Sequence, residues 1–196
     1  MHDLTASFHM EDGRMRCRPR SQWATGEIML TNNDTAAAFA DFAVVLKFEG
    51  LRAALAQLQK GTPFRFIGIW RFADGKADAA VHFDREHRSQ LRASEVPDTA
   101  TYCSFVRASG EPFKTANALV DERLNAHPAR ASVLAYCGAP LIDKGGEILG
   151  TLCLYDLEPR DVESLNVELL VMVANYLAMG GHVPPYPAAE GASSTP

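Results

Sequence analysis

Four cysteines are the side chains in this sequence best suited to covalent or redox chemistry: Cys17, Cys103, Cys137 and Cys153. No pair has CxxC spacing, which argues against a zinc knuckle or a thioredoxin-type motif. Cys137 and Cys153 lie in the two apolar runs of "YCGAPLIDKGGEILGTLCLYD", residues 136–156, on either side of a Gly-Gly turn. With the turn over residues 143–146, Ile142 lies opposite Glu147, Cys137 opposite Leu152, and Tyr136 opposite Cys153. Side chains alternate along a strand, so Cys137 and Cys153 point to opposite faces and cannot bridge without a slip of one residue. Both read as buried, inert thiols, which suits a reducing compartment. Cys103, in "ATYCSF", stands apart in an irregular middle segment.

His82, His87 and His127 lie in separate segments and share no i,i+4 spacing. They read as ordinary surface histidines rather than ligands for metal or haem. No nucleophile-elbow motif accompanies them.

Periodicity and turn signals outline the elements that must position these residues. Asn33 or Asp34 can cap a helix in which Val44, Phe48, Leu51, Leu55 and Leu58 form one stripe, with Gly50 as its weak point and Gly61 as its stop. "FRFIGIWRFADGKADAAVHFD" reads as two strands around Asp74-Gly75. The polar residues 88–97 suggest a loop or short helix, followed by a short helix, a turn at Ser109-Gly110 and a brief strand near Phe113. The 136–156 hairpin comes next, then a helix over 162–179 striped by Leu165, Leu169, Met172, Tyr176 and Met179. The order gives an α+β domain.

Residues 1–30 carry Arg14, Arg16, Arg18 and Arg20 against Asp3, Glu11, Asp12 and Glu27, with no apolar period. They are expected to be a disordered extension, or to precede a true start at Met29; Glu11 and Asp12 weaken a targeting-peptide reading. The Pro-, Gly- and Ser-rich tail, 180–196, is likewise expected to be disordered. The chain of 196 residues, 47% hydrophobic and 22% charged, suits one soluble domain. A net charge of -5 without a basic stripe argues against nucleic acid as a partner. No secretory or membrane-spanning run is present, so no membrane partner and a cytoplasmic location are expected.

The hairpin is apolar on both faces. Val133, Ala135, Cys137, Ala139 and Leu141 are opposed by Leu134, Tyr136, Pro140 and Ile142; Ile148, Leu152 and Leu154 are opposed by Leu149, Cys153 and Tyr155. Strands with one solvated face alternate instead, so this sheet is covered on both sides.

The same stretch resembles the closing hairpin of GAF domains, small sensory modules of bacterial signalling proteins. The likeness continues through "TYCSFV", "GEPFKTANALVDERLNAHP" and the helix after "LEPR", over residues 34–179. It implies a GAF-like fold: a central antiparallel sheet with N- and C-terminal helices on one face and a ligand pocket on the other. In such a fold Trp70, Phe83, Tyr102, Cys103, Phe105 and Tyr136 are the candidate ligand-binding residues, each with plain core as the alternative. Arg107, Arg123 and Arg130 could grip an anionic ligand through their donor forks, or simply lie on the surface. No Cys directly precedes a His, as bilin-binding relatives require. The cyclic-nucleotide signature survives only as Asp121-Glu122, with Asn117 where its Phe would stand. No cofactor and no metal set is specified.

The resemblance implies a small-molecule-binding sensory module. Phe39, Phe42 and Val45 on the first helix, and Val167, Leu170, Val171, Ala174 and Leu177 on the last, add apolar surface beside each stripe, which predicts a homodimer through the terminal helices. Nothing after residue 180 is long enough for an output domain, so a separate signalling protein is the expected receiver. The alternative is a thiol-dependent reductase of a small oxidised metabolite, resembling free methionine-(R)-sulfoxide reductases, with Cys103 catalytic. Against it, no Cys lies between Cys103 and Cys137, where that pattern expects one. A third reading is a structural dimerisation domain whose own side chains fill the pocket.

Overall fold

The computed structural model describes residues 8–11, 14–17, 24–90 and 93–186, with side-chain surroundings from residue 34 onward. The chain divides into two compact units, 1–37 and 38–196. The first contains the antiparallel pair β1 (Phe8–Glu11) and β2 (Arg14–Cys17) and the beginning of α1 (Ala24–Glu49). Part of the segment expected to lack structure is therefore regular, and Asn33 and Asp34 lie inside α1 rather than at its cap. The other residues of 1–23 lie outside the described residues.

The second unit holds the rest of α1, then α2 (Leu51–Lys60), β3 (Phe66–Ala73), β4 (Lys76–Asp84), β5 (Val96–Pro97), α3 (Cys103–Ser109), β6 (Phe113–Thr115), β7 (Ala135–Ile142), β8 (Ile148–Asp156) and α4 (Val167–Met179). Strand order is β5-β4-β3-β8-β7-β6, with every pairing antiparallel. The tail beyond α4 is held as far as Tyr186, through Arg71 donating to the Pro184 carbonyl (2.9 Å) and Tyr186 to Glu95 (2.9 Å). Residues 187–196, the rest of the expected disordered tail, lie outside the described residues.

Gly50, at φ 87°, separates α1 from α2; a side chain would be strained there. The break puts the two helices out of phase, so the single stripe read from sequence does not run through. Phe42 and Leu55 are buried, while Val44 and Phe48 are 56% and 75% exposed. The last helix shows a similar correction. It starts at Val167, capped by Asn166, which accepts from the Leu169 amide at 2.9 Å. Its buried face is Leu170, Val173, Ala174 and Leu177, whereas Tyr176 and Met179 of the expected stripe are exposed.

Two β-bulges set the faces of the sheet. Asp74 and Gly75 both have positive φ, as a two-residue hairpin turn requires, and pair Ala73 with Lys76. An extra residue, Ala80, then shifts the ladder so that Ile67 faces Phe83 and Gly68 faces His82. In the β7–β8 hairpin, Ile142 pairs with Ile148 and the bulge at Leu149 adds a further step, so Cys137 faces Leu154 and not Leu152. Two shifts of one residue restore parity. Cys137 and Cys153 do lie on opposite faces, as expected; Leu149, in the bulge, joins the helix side instead.

The helix side carries one core, with Phe42, Leu55, Ile67, Ile69, Leu152, Leu154 and Leu170 among its members. The other side carries a second, built around Trp70, Tyr102, Cys103, Tyr136 and Cys153. No helix among the described residues is long and apolar enough to cross a membrane.

Leu170→Ala should lower unfolding free energy by about 2–5 kcal/mol, since it empties a buried site. Met179→Ala should change it by less than about 0.5 kcal/mol. Urea titrations of dilute protein check both; the reverse ranking would mean that the outward stripe is the packed one.

Candidate functional site

Residues paired across adjacent strands share a face, so the ladder defines rows across the sheet. On the face away from the helices one row reads His82, Gly68, Cys153, Gly138 and Phe113. Cys153 thus has glycine on both neighbouring strands, and the sheet surface is hollow around it. Gly68 leaves no room for a side chain, and at Gly138 one would displace Tyr136. A Cβ at Gly68 would stand 2.7 Å from the Val81 carbonyl oxygen, and one at Gly138 would run into the Tyr136 ring and hydroxyl.

The hollow is roofed by α3 and the segments around it. Gly110, at φ 70°, ends α3 in a left-handed cap, and Tyr102, just before the helix, donates to the Val133 carbonyl at 3.0 Å. Cys103, the first residue of α3, points down into the hollow. Its Sγ accepts from Tyr136 Oη at 3.2 Å and lies 4.0 Å from Cys153 Sγ. Beside this trio is a cavity of about 230 Å³, bordered by Trp70, Thr101, Tyr102, Ser132 and Tyr155 as well as the two cysteines and Tyr136. No charged side chain borders it among the described residues.

Of the residues singled out in the sequence, Trp70, Tyr102, Cys103 and Tyr136 come together at this cavity. Phe105 belongs to the same core but stacks on Phe113, centroids 4.7 Å apart, and does not border the cavity. Phe83 falls on the other face. The Ala80 bulge turns it to the helix side, where it borders a groove of about 470 Å³ with Val45, Gln57, Arg85 and Arg88. The three candidate anion-binding arginines are engaged elsewhere: Arg107 with Asp98, Arg123 with Asp121, and Arg130 with the Ala118 carbonyl.

His82 is not on the surface. It is 2% exposed, and its Nε2 pairs with Tyr155 Oη at 2.8 Å. Lack of ligand spacing, on which the surface reading rests, says nothing of burial; the Ala80 bulge is what sets His82 on this face. Tyr155 and Cys153 join the site through the pairing of β8 with β3, which local turn signals do not reveal. Glycines at 68 and 138 were the available signal, and they become readable once the register is known.

Burial sets most of the titration behaviour here. It pushes Tyr102 up to about 12 and Cys137 up to about 11. Tyr136 and Tyr155 are raised further for the same reason. At Cys103 burial opposes ionisation, but the Cys153 and Tyr136 donors outweigh it and lower the thiol below its ordinary value; Cys153 is raised. At the end of the sheet, burial opposes a charge on Asp84, yet bidentate bonds from Arg65 (3.0 and 2.8 Å) hold its carboxyl well below the usual range.

A family model described as the GAF domain matches residues 49–180. None of the curated proteins matches the chain. Among solved structures, the GAF domain of an Acinetobacter phosphoenolpyruvate-protein phosphotransferase is similar at 12% identity and TM-score 0.59, over 74% of this chain and 90% of that one. The corresponding domain from Coxiella burnetii gives 17% identity and TM-score 0.56, over 76% and 93%. Free methionine-R-sulfoxide reductase from Neisseria meningitidis, in complex with its substrate, gives 14% and 0.58, over 74% and 86%. At these identities the likeness is one of fold.

Acid should expose the buried imidazole. Burial, assisted by Arg52 and opposed by Asp84, lowers the His82 pKa from its ordinary 6.5. The unfolded chain then binds that proton more readily, so the His82 contribution is complete above 6.5 and is lost as pH falls below it. Asp84 and Asp156, both lowered, add their loss only as pH approaches the ordinary carboxylate value of 3.8. Unfolding free energy should therefore decline between about pH 7 and pH 5, less steeply in His82→Gln. A residual slope is expected from His127, also lowered by burial. Equal slopes in parent and variant would remove His82 as the cause.

Proposed function

Because this chain belongs to the GAF domain family, we propose that it is a small-molecule-binding sensory module whose ligand occupies the cavity beside Trp70, Tyr102 and Tyr136. The observation that carries this reading is the cavity itself. Its volume of about 230 Å³ lies below the range of roughly 300–1,000 Å³ typical of drug-sized ligands, which suits a small metabolite. Aromatic walls, the Thr101 and Ser132 hydroxyls and the lack of charged lining favour an uncharged compound with one or two hydrogen-bonding groups.

The terminal helices supply the route out. Phe39 of α1 and Tyr176 of α4 meet edge to face, centroids 5.3 Å apart. Val44 and Phe48 of α1, and Tyr176 and Met179 of α4, leave apolar surface exposed. Two copies of the chain paired through this surface would bury it, and a separate output protein would read changes in the pair.

A second reading is thiol-dependent reduction of a small oxidised metabolite at Cys103. The contact of Cys103 with both Tyr136 Oη and Cys153 Sγ favours it. Turnover of methionine sulfoxide, lost in Cys103→Ser, would select this reading over simple binding.

Freshly purified protein should show a native mass above that of its chains by one defined small molecule. Returning that compound at about 100 times its Kd should stabilise the fold by about 2.7 kcal/mol, and Trp70→Ala should abolish the effect. Bare protein that is also unaffected by metabolite mixtures would favour a self-filled structural domain. For the assembly, sedimentation should give a dimer that Phe48→Glu converts to monomer; a monomer at all concentrations would refute the pairing.

A further inference from the structure

Cys103 and Cys153 stand 50 positions apart in the chain, yet their buried sulfurs are 4.0 Å apart. Three features make this a built site. The glycines at 68 and 138 flank Cys153 in its row and leave the space into which Cys103 descends. Tyr136 Oη donates to Cys103 Sγ at 3.2 Å, and only a glycine at 138 lets the ring lie there. Both cysteines border the cavity, so a reagent small enough to enter it comes against them although neither is more than 2% exposed. Cys137 is held on the opposite face by the sheet.

We propose that Cys103 and Cys153 are a dithiol–disulfide redox pair, in which a small hydroperoxide oxidises Cys103 and Cys153 resolves the product as an intramolecular disulfide. The Cys103 thiolate attacks one peroxide oxygen: an S–O bond forms, the O–O bond breaks, and the departing alkoxide takes a proton to become an alcohol. The Cys153 sulfur then attacks Cys103 Sγ of the sulfenic acid. The S–S bond forms, the S–O bond breaks, and hydroxide leaves as water with the proton that Cys153 gives up. Two thiols thus lose two electrons and two protons, and the hydroperoxide becomes an alcohol and water. A dithiol reductant returns the two electrons and is itself oxidised to a disulfide.

Roles follow from the surroundings. Tyr136 Oη donates to Cys103 Sγ at 3.2 Å, and the Cys103 pKa is lowered where that of Cys153 is raised, chiefly by burial, so Cys103 is the attacking sulfur. Closing the gap to a covalent length of about 2.05 Å draws the start of α3 toward β8 and takes the thiolate acceptor away from Tyr136. Oxidation therefore reshapes the cavity floor. The pair requires neither a resident ligand nor turnover of a sulfoxide.

The test uses the full chain, exposed to hydrogen peroxide, then denatured, alkylated and mapped by peptide mass. Two thiols should disappear per chain, one linked peptide pair should join Cys103 to Cys153, and dithiothreitol should restore both. Cys153→Ser should instead accumulate a sulfenic acid at Cys103, trapped by dimedone, while Cys103→Ser should leave Cys153 unmodified. Tyr136→Phe should slow thiol loss about tenfold at neutral pH, the worth of one hydrogen bond to a charged group. Linkage to Cys17 or Cys137 would overturn the proposal, as would unreacted thiols or undiminished Cys153 oxidation in Cys103→Ser, with circular dichroism showing each variant folded. Failure to turn over methionine sulfoxide would count against the reductase reading and leave this pair intact.

Discussion

The site depends on two missing side chains. Gly68 and Gly138 stand on either side of Cys153 in one row of the sheet; a Cβ is barred at the first by the Val81 carbonyl and at the second would displace the Tyr136 ring. An antiparallel sheet that packs both faces ordinarily fills every position of each row. Here the row is left low at its centre, and what fills the depression comes from outside the sheet. Cys103 descends from α3, Tyr136 lies across Gly138, and the remaining space is the cavity. The contacts of the trio and the cavity beside it are thus consequences of one local feature. Glycine in a strand weakens it by the loss of packing and by greater chain entropy, so a stable pocket face needs the rest of the sheet to compensate.

That compensation comes from the helix side, and its legibility in the sequence was uneven. The alternation-free hairpin announced a sheet covered on both faces, because only strands without a solvated side read that way. The bulges were not announced. An unbroken ladder from the Asp74-Gly75 turn would set Phe66 against Phe83 and place His82 with the helices; one extra residue at Ala80 exchanges the two. Period-2 reasoning has no means of seeing an inserted residue, so the sequence does not show which face Phe83 or His82 takes. In the second hairpin the turn and the Leu149 bulge each move the register by one, and the errors cancel in parity though not in pairing. The opposed cysteines were therefore read correctly from an incorrect ladder.

The helices fail differently. Their apolar positions were all visible, but a helix apolar around most of its circumference does not say which face is inward. Gly50 decides it for α1 and α2 by breaking their common phase. The residues that formed the tidiest stripes, Val44 with Phe48 and Tyr176 with Met179, are the exposed ones. Regular spacing on an exposed face is what a second helix surface would ask for, whereas the inward face, packed on a twisted sheet, is free to be irregular.

The cavity's neutrality has its own structural cause. The charges at that end of the domain are gathered outside it, where β3 begins and β4 and β8 end. Arg65 grips Asp84 with two bonds, its backbone amide donates to Asp156 at 2.9 Å, and Arg160 meets the same carboxylate at 2.7 Å. Buried ion pairs of this kind add little net stability, since desolvation consumes most of the attraction, but losing one partner would strand a buried charge. Their effect is to fix where three strand ends lie. Phe66, stacked on Tyr155 at 4.7 Å, and the Tyr155–His82 bond stand between that network and the row of Cys153. With Asp84 and Arg65 satisfied by each other, no formal charge is left facing the cavity. The polarity that remains there is that of thiols, hydroxyls and ring edges.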